Sequence, residues 1–475
     1  MTRGAAFFDL DRTLLAGASG SVFSDALRQA GMITRSIPGE QLLYGLFNVV
    51  GETLPSMAMA RQGASLAKGR SSAAVQAAAA AVAPRLVSMV QPYAARLFEE
   101  HRAAGRPIVL ATTTPYDFVK PFADLLGLDD VLATRYGVDA DGNYDGGLDG
   151  PFVWSTGKLA AVRTWSGRAG VDLAASYAYS DSFYDTPLLA AVGHPVVVNP
   201  DPRMVLMAVA RRWPVIHLDV PPGVQKVPMM GMEVQKVAMT FLHPAMFPFA
   251  RFQFEGVDLV PDRGPAILVG NHRSYFDPAA IALLVARTGR SVRFLGKKEV
   301  FDAPIVGQIA AAMGGIRVER GTGSDEPLQA AAEALRAGEM VALMPEGTIP
   351  RGPAFFEPKL TGRWGAAKLA AMTKAPVVPV GLWGTERVWP RSARMPNVLN
   401  VFDPPTVSLR VGEAVPLKYR SPDADTKRIM AAIVDLLPPE AKVRHTPTPA
   451  ELALTYPPGY HGDPERESDR RPGTD

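Results

Sequence analysis

Cysteine is absent from all 475 residues, which excludes disulfides, thiol nucleophiles and thiolate metal sites and is compatible with a reducing compartment. No apolar run reaches the roughly 18 uninterrupted residues that a membrane-spanning helix needs. The nearest approaches are "LLYGLFNVVG" from Leu42 and the Met- and Phe-rich 229–254, which are too short or broken by Pro, Lys and Arg. Spanning is excluded on this reading; lying on a membrane is not. A surplus of one charge is missing too. The 50 Lys and Arg against 47 Asp and Glu leave a net +3, which argues against nucleic acid as the main partner. The opening "MTRGAAFFDLDRT" is interrupted by acids before it builds the apolar core of a secretory signal, so a cytoplasmic chain is expected.

What is present is ample core-forming material, 47% apolar against 20% charged residues, in a chain too long for one hydrophobic core. Strand-like runs alternate with helical stretches in two series, the pattern of α/β architecture. The first series, within 1–215, holds "AAFFDLD", "PIVLATTT", "SYAYSDS" and "PVVVN", with a helical insertion at about 16–95. A Pro- and Val-rich linker is expected over 216–235. The second series, within 236–440, holds "AILVGNH", "VRFLGKK", "GGIRVER", "MVALMPEG" and "APVVPVGLWG". The remainder, 441–475, is rich in Pro and charge and reads as mostly disordered.

In the first series, "FFDLDRT" ends a strand with Asp9, Asp11 and Thr13. Carboxylates crowded at a strand end repel one another, and a hard cation such as Mg²⁺ relieves that repulsion; a solvated acidic turn is the alternative. Later pieces favour the first. Thr112 and Thr113 end another strand with hydroxyls suited to a phosphoryl oxygen, Lys158 opens a helix, and Asp181 with Asp185 forms a second acid pair. In this order the residues resemble the haloacid dehalogenase superfamily of phosphohydrolases, in its phosphoserine-phosphatase-like branch. The resemblance implies a Rossmann-like domain with a helical cap and Asp9 as nucleophile forming an aspartyl-phosphate. It also implies Asp11 as general acid and then base, Thr112 and Lys158 orienting the phosphate, and Asp181 and Asp185 holding Mg²⁺. The "TTT" departs from the Ser-rich form common in that branch.

In the second series, "GNHRSYFD" sets His272 five positions before Asp277. A neutral imidazole steered by a carboxylate is a general base for an attacking hydroxyl. Asp followed by Pro and an apolar helix is equally an N-cap, and one residue can serve both roles. Downstream lie Lys297 and Lys298, Arg317 and Arg320, then Glu346, Gly347 and Thr348 in "MPEGTIPRG". With "APVVPVGLWGTE" these blocks resemble the glycerolipid acyltransferases, especially the 1-acylglycerol-3-phosphate type. The resemblance implies an α/β acyltransferase domain, His272 as base with Asp277 as partner, Arg320, Glu346 and Gly347 binding phosphate and glycerol, and Pro379 shaping the last block. The donor it implies is acyl-CoA or acyl-carrier protein, and the acceptor a lysophospholipid. Ile349 stands where that pattern usually has Arg, and Arg351 is the nearby substitute. Over 229–243, Met230, Val234, Val237, Ala238, Phe241 and Leu242 fall on one helical face, with Glu233, Gln235, Lys236 and Thr240 opposite. That pattern suits either a helix packed on its own domain or one lying on a membrane surface through 229–254, the latter implying attachment to the inner face of the cell membrane. A competing reading of the whole chain is a small-metabolite phosphatase anchored by an inactive lipid-binding second half.

Overall fold

A computed structural model of the chain describes residues 3–32, 51–221, 224, 226, 232–297, 301–302, 307, 310, 314–318 and 326–460. It divides into two compact units, Met1–Pro222 and Gly223–Asp475.

The N-terminal unit is built on β1 (Ala6–Phe8), β2 (Ile108–Pro115), β3 (Asp130–Thr134), β6 (Tyr177–Ser180), β7 (His194–Val198) and β8 (Val215–Ile216), with a hairpin of β4 (Tyr136–Val138) and β5 (Tyr144–Leu148) between. The main sheet runs β3-β2-β1-β6-β7-β8, and its neighbours all pair parallel. Because side chains alternate along a strand, Phe7, Val109 and Ala178 pack into the core on one face, and Phe8, Leu110 and Tyr179 into the core on the other. The strand order reverses at β1, so the carboxyl ends of β1, β2 and β6 open into one crevice. The expected insertion between β1 and β2 contains helices Gly20–Gln29, Leu54–Ala67 and Ser72–Ser88; residues 33–50, including the run from Leu42, lie outside the described residues. Sequence reading missed β3, β8 and the hairpin. The hairpin belongs with the insertion, because Tyr144 packs in a small separate core with Leu27, Ala67 and Val75.

The C-terminal unit carries β9 (Arg251–Glu255), β10 (Ala266–Gly270), β11 (Arg293–Lys297), β12 (Ile316–Val318), β13 (Met340–Leu343), β14 (Val377–Trp383) and β15 (Thr406–Val411). They form one sheet in the order β12-β11-β13-β10-β14-β15-β9. Only the β14–β15 pair is antiparallel among these neighbours. Ala266 and Leu268 feed one core, Ile267 and Val269 the other. Here β10, β13 and β14 lie side by side, so "GNH", "PEGT" and "LWGTE" all leave the sheet at neighbouring strand ends.

Three sequence expectations are corrected. The first unit does not stop at 215: β8 completes its sheet, Leu218 and Val220 are buried, and Tyr93 N–H donates to the Leu218 carbonyl at 3.0 Å. The segment 441–460 is ordered rather than disordered. It holds the helix Pro449–Leu454, and the buried Thr455 hydroxyl accepts from Gly352 N–H at 2.8 Å. The face assigned to the 229–243 helix is also wrong on its polar side. In the helix Val234–Phe241 the buried residues are Gln235 and Met239, while Phe241 is exposed. Glu233 and Gln235 turn inward because Arg293 is buried: its guanidinium meets Glu233 at 2.5 Å, Gln235 at 3.0 Å and Glu339. A buried guanidinium left without such partners would cost several kcal/mol, on the order of 3–5, so the charge network overrides the apolar pattern.

One buried group makes the first unit's stability pH-dependent. His101 accepts from Arg106 at Nδ1 (2.9 Å) and meets the Tyr179 hydroxyl at Nε2 (2.8 Å). Burial, assisted by the Arg106 charge, pushes its pKa down to about 4. The unfolded chain, with an ordinary His pKa near 6.5, therefore binds more protons than the folded one between those values. The stabilisation is present above about pH 6.5 and is lost as pH falls toward 4, at up to about 1.4 kcal/mol per unit. In His101→Gln, urea unfolding of the first unit should show a weaker slope with pH across that window.

Candidate functional sites

In the N-terminal unit the chain leaves β1 through a single widened turn, Leu10–Leu14, in which Arg12 sits at φ +60°. Asp9, Asp11, Thr112, Thr113 and Asp181 thereby line one small cavity. Lys158, fully buried on the first turn of the helix Thr156–Ala169, donates to Asp9 at 2.8 Å and to Asp185 at 2.6 Å. Thr13 donates to the Asp181 carboxylate at 3.2 Å and accepts from the Asp181 N–H at 3.0 Å, while Arg12 pairs with the same carboxylate at 3.4 Å. Asp11 accepts from Ser19 N–H at 2.5 Å and from the Thr114 hydroxyl at 3.4 Å.

Burial dominates the electrostatics. It pushes Asp9 up to about 7, with Lys158 opposing, and raises Asp11 and, further, Asp181. Burial alone would lower Lys158, but Asp185, Asp9 and Glu52 together hold it above its ordinary value. This cavity has more carboxylates than the one buried ammonium neutralises, and the buried Thr113 hydroxyl beside it has no hydrogen-bond partner. That donor set fits a divalent cation and a phosphoryl group. Among the described residues no three His, Cys, Asp or Glu form a ready-made cage; of the expected ligands, Asp9, Asp11 and Asp181 line the cavity and are the residues that would hold the ion. Asp185, expected as a metal ligand, holds Lys158 in this structure. Its Oδ2 takes Lys158 and the Ser180 hydroxyl (2.7 Å), and its Oδ1 is buried without a partner. The sequence reading missed Glu52, which lines the same cavity. Its carboxylate accepts from the Ser182 hydroxyl at 2.6 Å and the Trp154 indole at 3.1 Å, and burial and then Asp185 raise its pKa. No motif surrounds it, so no sequence signal could have found it.

In the C-terminal unit His272 Nδ1 lies 2.8 Å from Asp277 Oδ2. The same oxygen accepts from the N–H groups of Arg273 (2.7 Å) and Ser274 (2.8 Å). Asp277 is thus the first residue of the helix Asp277–Ala286 rather than its N-cap: its carboxylate turns back to the preceding loop and makes no capping bond. It still lies at the helix's positive end. Glu346 Oε2 accepts from the His272 N–H at 2.6 Å, so this buried acid positions the histidine. Asn271 bridges to Leu382 through both its amide atoms (2.9 and 2.8 Å), tying β10 to β14. Arg273, also missed from sequence, is sandwiched between Phe355 and Trp383 at 4.2 and 4.1 Å and paired with Glu386 at 3.1 Å.

Gly347 adopts φ +74°, a left-handed turn that only glycine takes without strain. Thr348 donates to the Ile349 carbonyl at 3.4 Å, and Ile349 is buried. Arg351 lies over the Tyr460 ring at 5.0 Å. Pro379 sits in β14 opposite Val269. Lys297 ends β11 and Arg317 lies in β12; their side chains, and Lys298 and Arg320 altogether, lie outside the described residues.

Two strand-end sites on two parallel-rich sheets, one rich in acids and hydroxyls around a lysine and one a His–Asp pair, define two enzyme classes in one chain. Residues 6–190 match the haloacid dehalogenase-like hydrolase family, and residues 251–383 match the acyltransferase family. The first unit is 36% identical over 225 residues to an inhibition of morphological differentiation protein of Streptomyces azureus, covering 46% of this chain and 80% of that protein. It is 34% identical to the phosphoserine phosphatase SerB1 of Mycobacterium tuberculosis, over 44% of this chain and 69% of that one. Over 167 residues the chain is also 30% identical to a chloroplastic 1-acyl-sn-glycerol-3-phosphate acyltransferase of Arabidopsis thaliana, covering 34% of this chain and less than half, 44%, of that protein. The chain belongs to the haloacid dehalogenase-like hydrolases and carries an acyltransferase domain fused behind the hydrolase.

Asp277→Ala removes the acceptor of two loop N–H groups as well as the histidine's partner. It should destabilise the second unit by about 3 kcal/mol, read as a lowered unfolding midpoint for that unit, whereas Asp277→Asn should lose less.

Proposed function

We propose that the C-terminal unit transfers an acyl group from acyl-CoA or acyl-carrier protein to the free hydroxyl of a lysophosphatidic acid, giving phosphatidic acid. The observation that carries this reading is the 2.8 Å contact between His272 Nδ1 and Asp277. With Nδ1 so engaged, Nε2 is the ring atom that takes the proton from the acceptor hydroxyl. The hydroxyl oxygen then bonds to the thioester carbon, the carbon–sulfur bond breaks, and the imidazolium returns the proton to the departing thiolate. Asp277 stabilises the imidazolium while it exists. Glu346 and Arg273 keep the histidine's backbone and its neighbour fixed. The likeness to the plant acyltransferase supports the acceptor class.

The N-terminal unit, on the same proposal, hydrolyses a phosphomonoester. Asp9 attacks phosphorus to form an aspartyl-phosphate, Lys158 balances its charge, and Asp11 protonates the leaving oxygen and then deprotonates the attacking water. Mg²⁺ held by the cavity's carboxylates would neutralise the phosphoryl oxygens when bound. The likeness to the mycobacterial phosphatase supports this class of substrate. No helix among the described residues is long and apolar enough to cross a membrane, and the proposal has the protein work from the cytoplasmic side at the inner face of the cell membrane.

Mass spectrometry of the lipids formed from mixed lysophospholipids and acyl-CoAs tests the first half. His272→Ala should lower turnover about 10³-fold, and retained turnover refutes the base. Phosphate release across a panel of phosphomonoesters tests the second: Asp9→Asn should abolish it, and equal release from both proteins refutes the nucleophile.

A further inference from the structure

Between the short helix Thr385–Val388 and β15, the C-terminal unit carries a long irregular loop. Its distal part gathers five exposed bulky apolar side chains: Met395, Val398, Leu399, Val401 and Phe402. Leu399 is 85% and Phe402 96% exposed, close to the full exposure of an unfolded chain. Soluble proteins rarely hold a contiguous cluster of this kind in water unless something covers it.

The root of the loop is tied to the His272 site. The Trp389 carbonyl accepts from the Ser274 hydroxyl at 2.6 Å, the Trp389 ring meets Tyr275 edge-on at 5.7 Å, and Arg391 donates to the Ile349 carbonyl. Two further bonds fold the root on itself, Trp389 indole to the Ala393 carbonyl and Asn397 N–H to the Val388 carbonyl, both 3.0 Å. The distal segment is therefore an exposed apolar tip on a fixed base beside the candidate acyl-transfer site.

Charge says what covers the tip. From Arg387 to Phe402 the sequence holds three arginines, Arg387, Arg391 and Arg394, and no acid. The flanking acids are Glu386, paired with Arg273 at 3.1 Å, and the exposed Asp403, which lies 3.9 Å from Arg251. Bulky apolar side chains interleaved with cations and free of acids match the boundary of an anionic bilayer, where the apolar groups enter the acyl region and the exposed Arg387 and Arg394 meet lipid phosphates.

We infer that the loop 387–402 is a membrane-docking element that seats the His272 site on an anionic phospholipid surface. The inference deepens the acyltransferase reading by assigning the surface from which an amphipathic acceptor enters. It also differs from docking through 229–254, where Phe241 is the exposed apolar residue of the helix.

The test is co-sedimentation of the full chain with vesicles of equimolar phosphatidylglycerol and phosphatidylcholine, and with phosphatidylcholine alone, without acyl donor. Wild type should prefer the anionic vesicles. Leu399→Ser with Phe402→Ser should lower its partitioning roughly tenfold or more. Phe241→Ser should lower it far less. Because Leu399 and Phe402 are exposed, the double variant should keep the wild-type unfolding midpoint. Its turnover of a short-chain, water-soluble lysophospholipid should also be unchanged. Wild-type partitioning by the double variant, or loss of binding in Phe241→Ser alone, overturns the inference. So does a wild type that ignores vesicles yet forms loop-dependent dimers in sedimentation velocity, which would make a second copy the occupant. His272→Ala should bind vesicles as wild type does. An enzyme without acyl transfer but with loop-dependent binding would therefore refute the reaction and leave the docking element standing.

Discussion

A parallel strand buried on both faces leaves its polar residues one outlet, the loop beyond its carboxyl end. Both units obey this constraint. In the first, Phe7 and Phe8 are consumed by opposite cores, and the next residue, Asp9, is the first free to do chemistry. In the second, Ile267 to Val269 are consumed in the same way, and His272 follows within three residues. Strand order then decides which ends meet: β1 between β2 and β6, and β10 between β13 and β14.

Gathering polar groups in this way takes them out of water, and the two units settle the resulting cost differently. In the first, Asp9, Asp11 and Asp181 are all pushed upward by burial, and a single ammonium, Lys158, is shared between Asp9 and Asp185. The imbalance leaves the cavity attractive to further positive charge. In the second, the dyad carboxylate concentrates its bonds on one oxygen, where Oδ2 takes two loop N–H groups and the imidazole, while its Oδ1 is buried without a partner. An acid-rich cavity around one lysine and a histidine held in fixed orientation by a carboxylate thus arise from the same strand-end geometry.

Much of this was legible in the chain. Every strand read from an apolar run exists, because a buried strand must be apolar on both faces and polar where it stops. Those that escaped notice lack a continuous apolar run: β9 and β15 alternate in burial, β8 has two residues, and β3 and the β4–β5 hairpin are short and partly exposed. The tail escaped for a related reason. Thr455 is ordered by one hydroxyl reaching Gly352, 103 positions earlier, and a composition rich in Pro and charge carries no trace of such a contact.

By itself the sequence determined the two series of buried strands, the residues that end them, Asp9 among them, and the His272–Asp277 spacing, since these are local consequences of periodicity and chain order. Tertiary structure alone decided the rest. It turned Asp277 away from a helix cap and toward the loop before it, assigned Asp185 to Lys158, and brought Glu52 from the insertion to the edge of the acidic cavity. It also drew Glu233 and Gln235 inward to a buried Arg293. Each of these outcomes depends on where a distant charge or donor lies once the chain is folded, and a long-range hydrogen bond or ion pair leaves no periodic mark on the residues that make it.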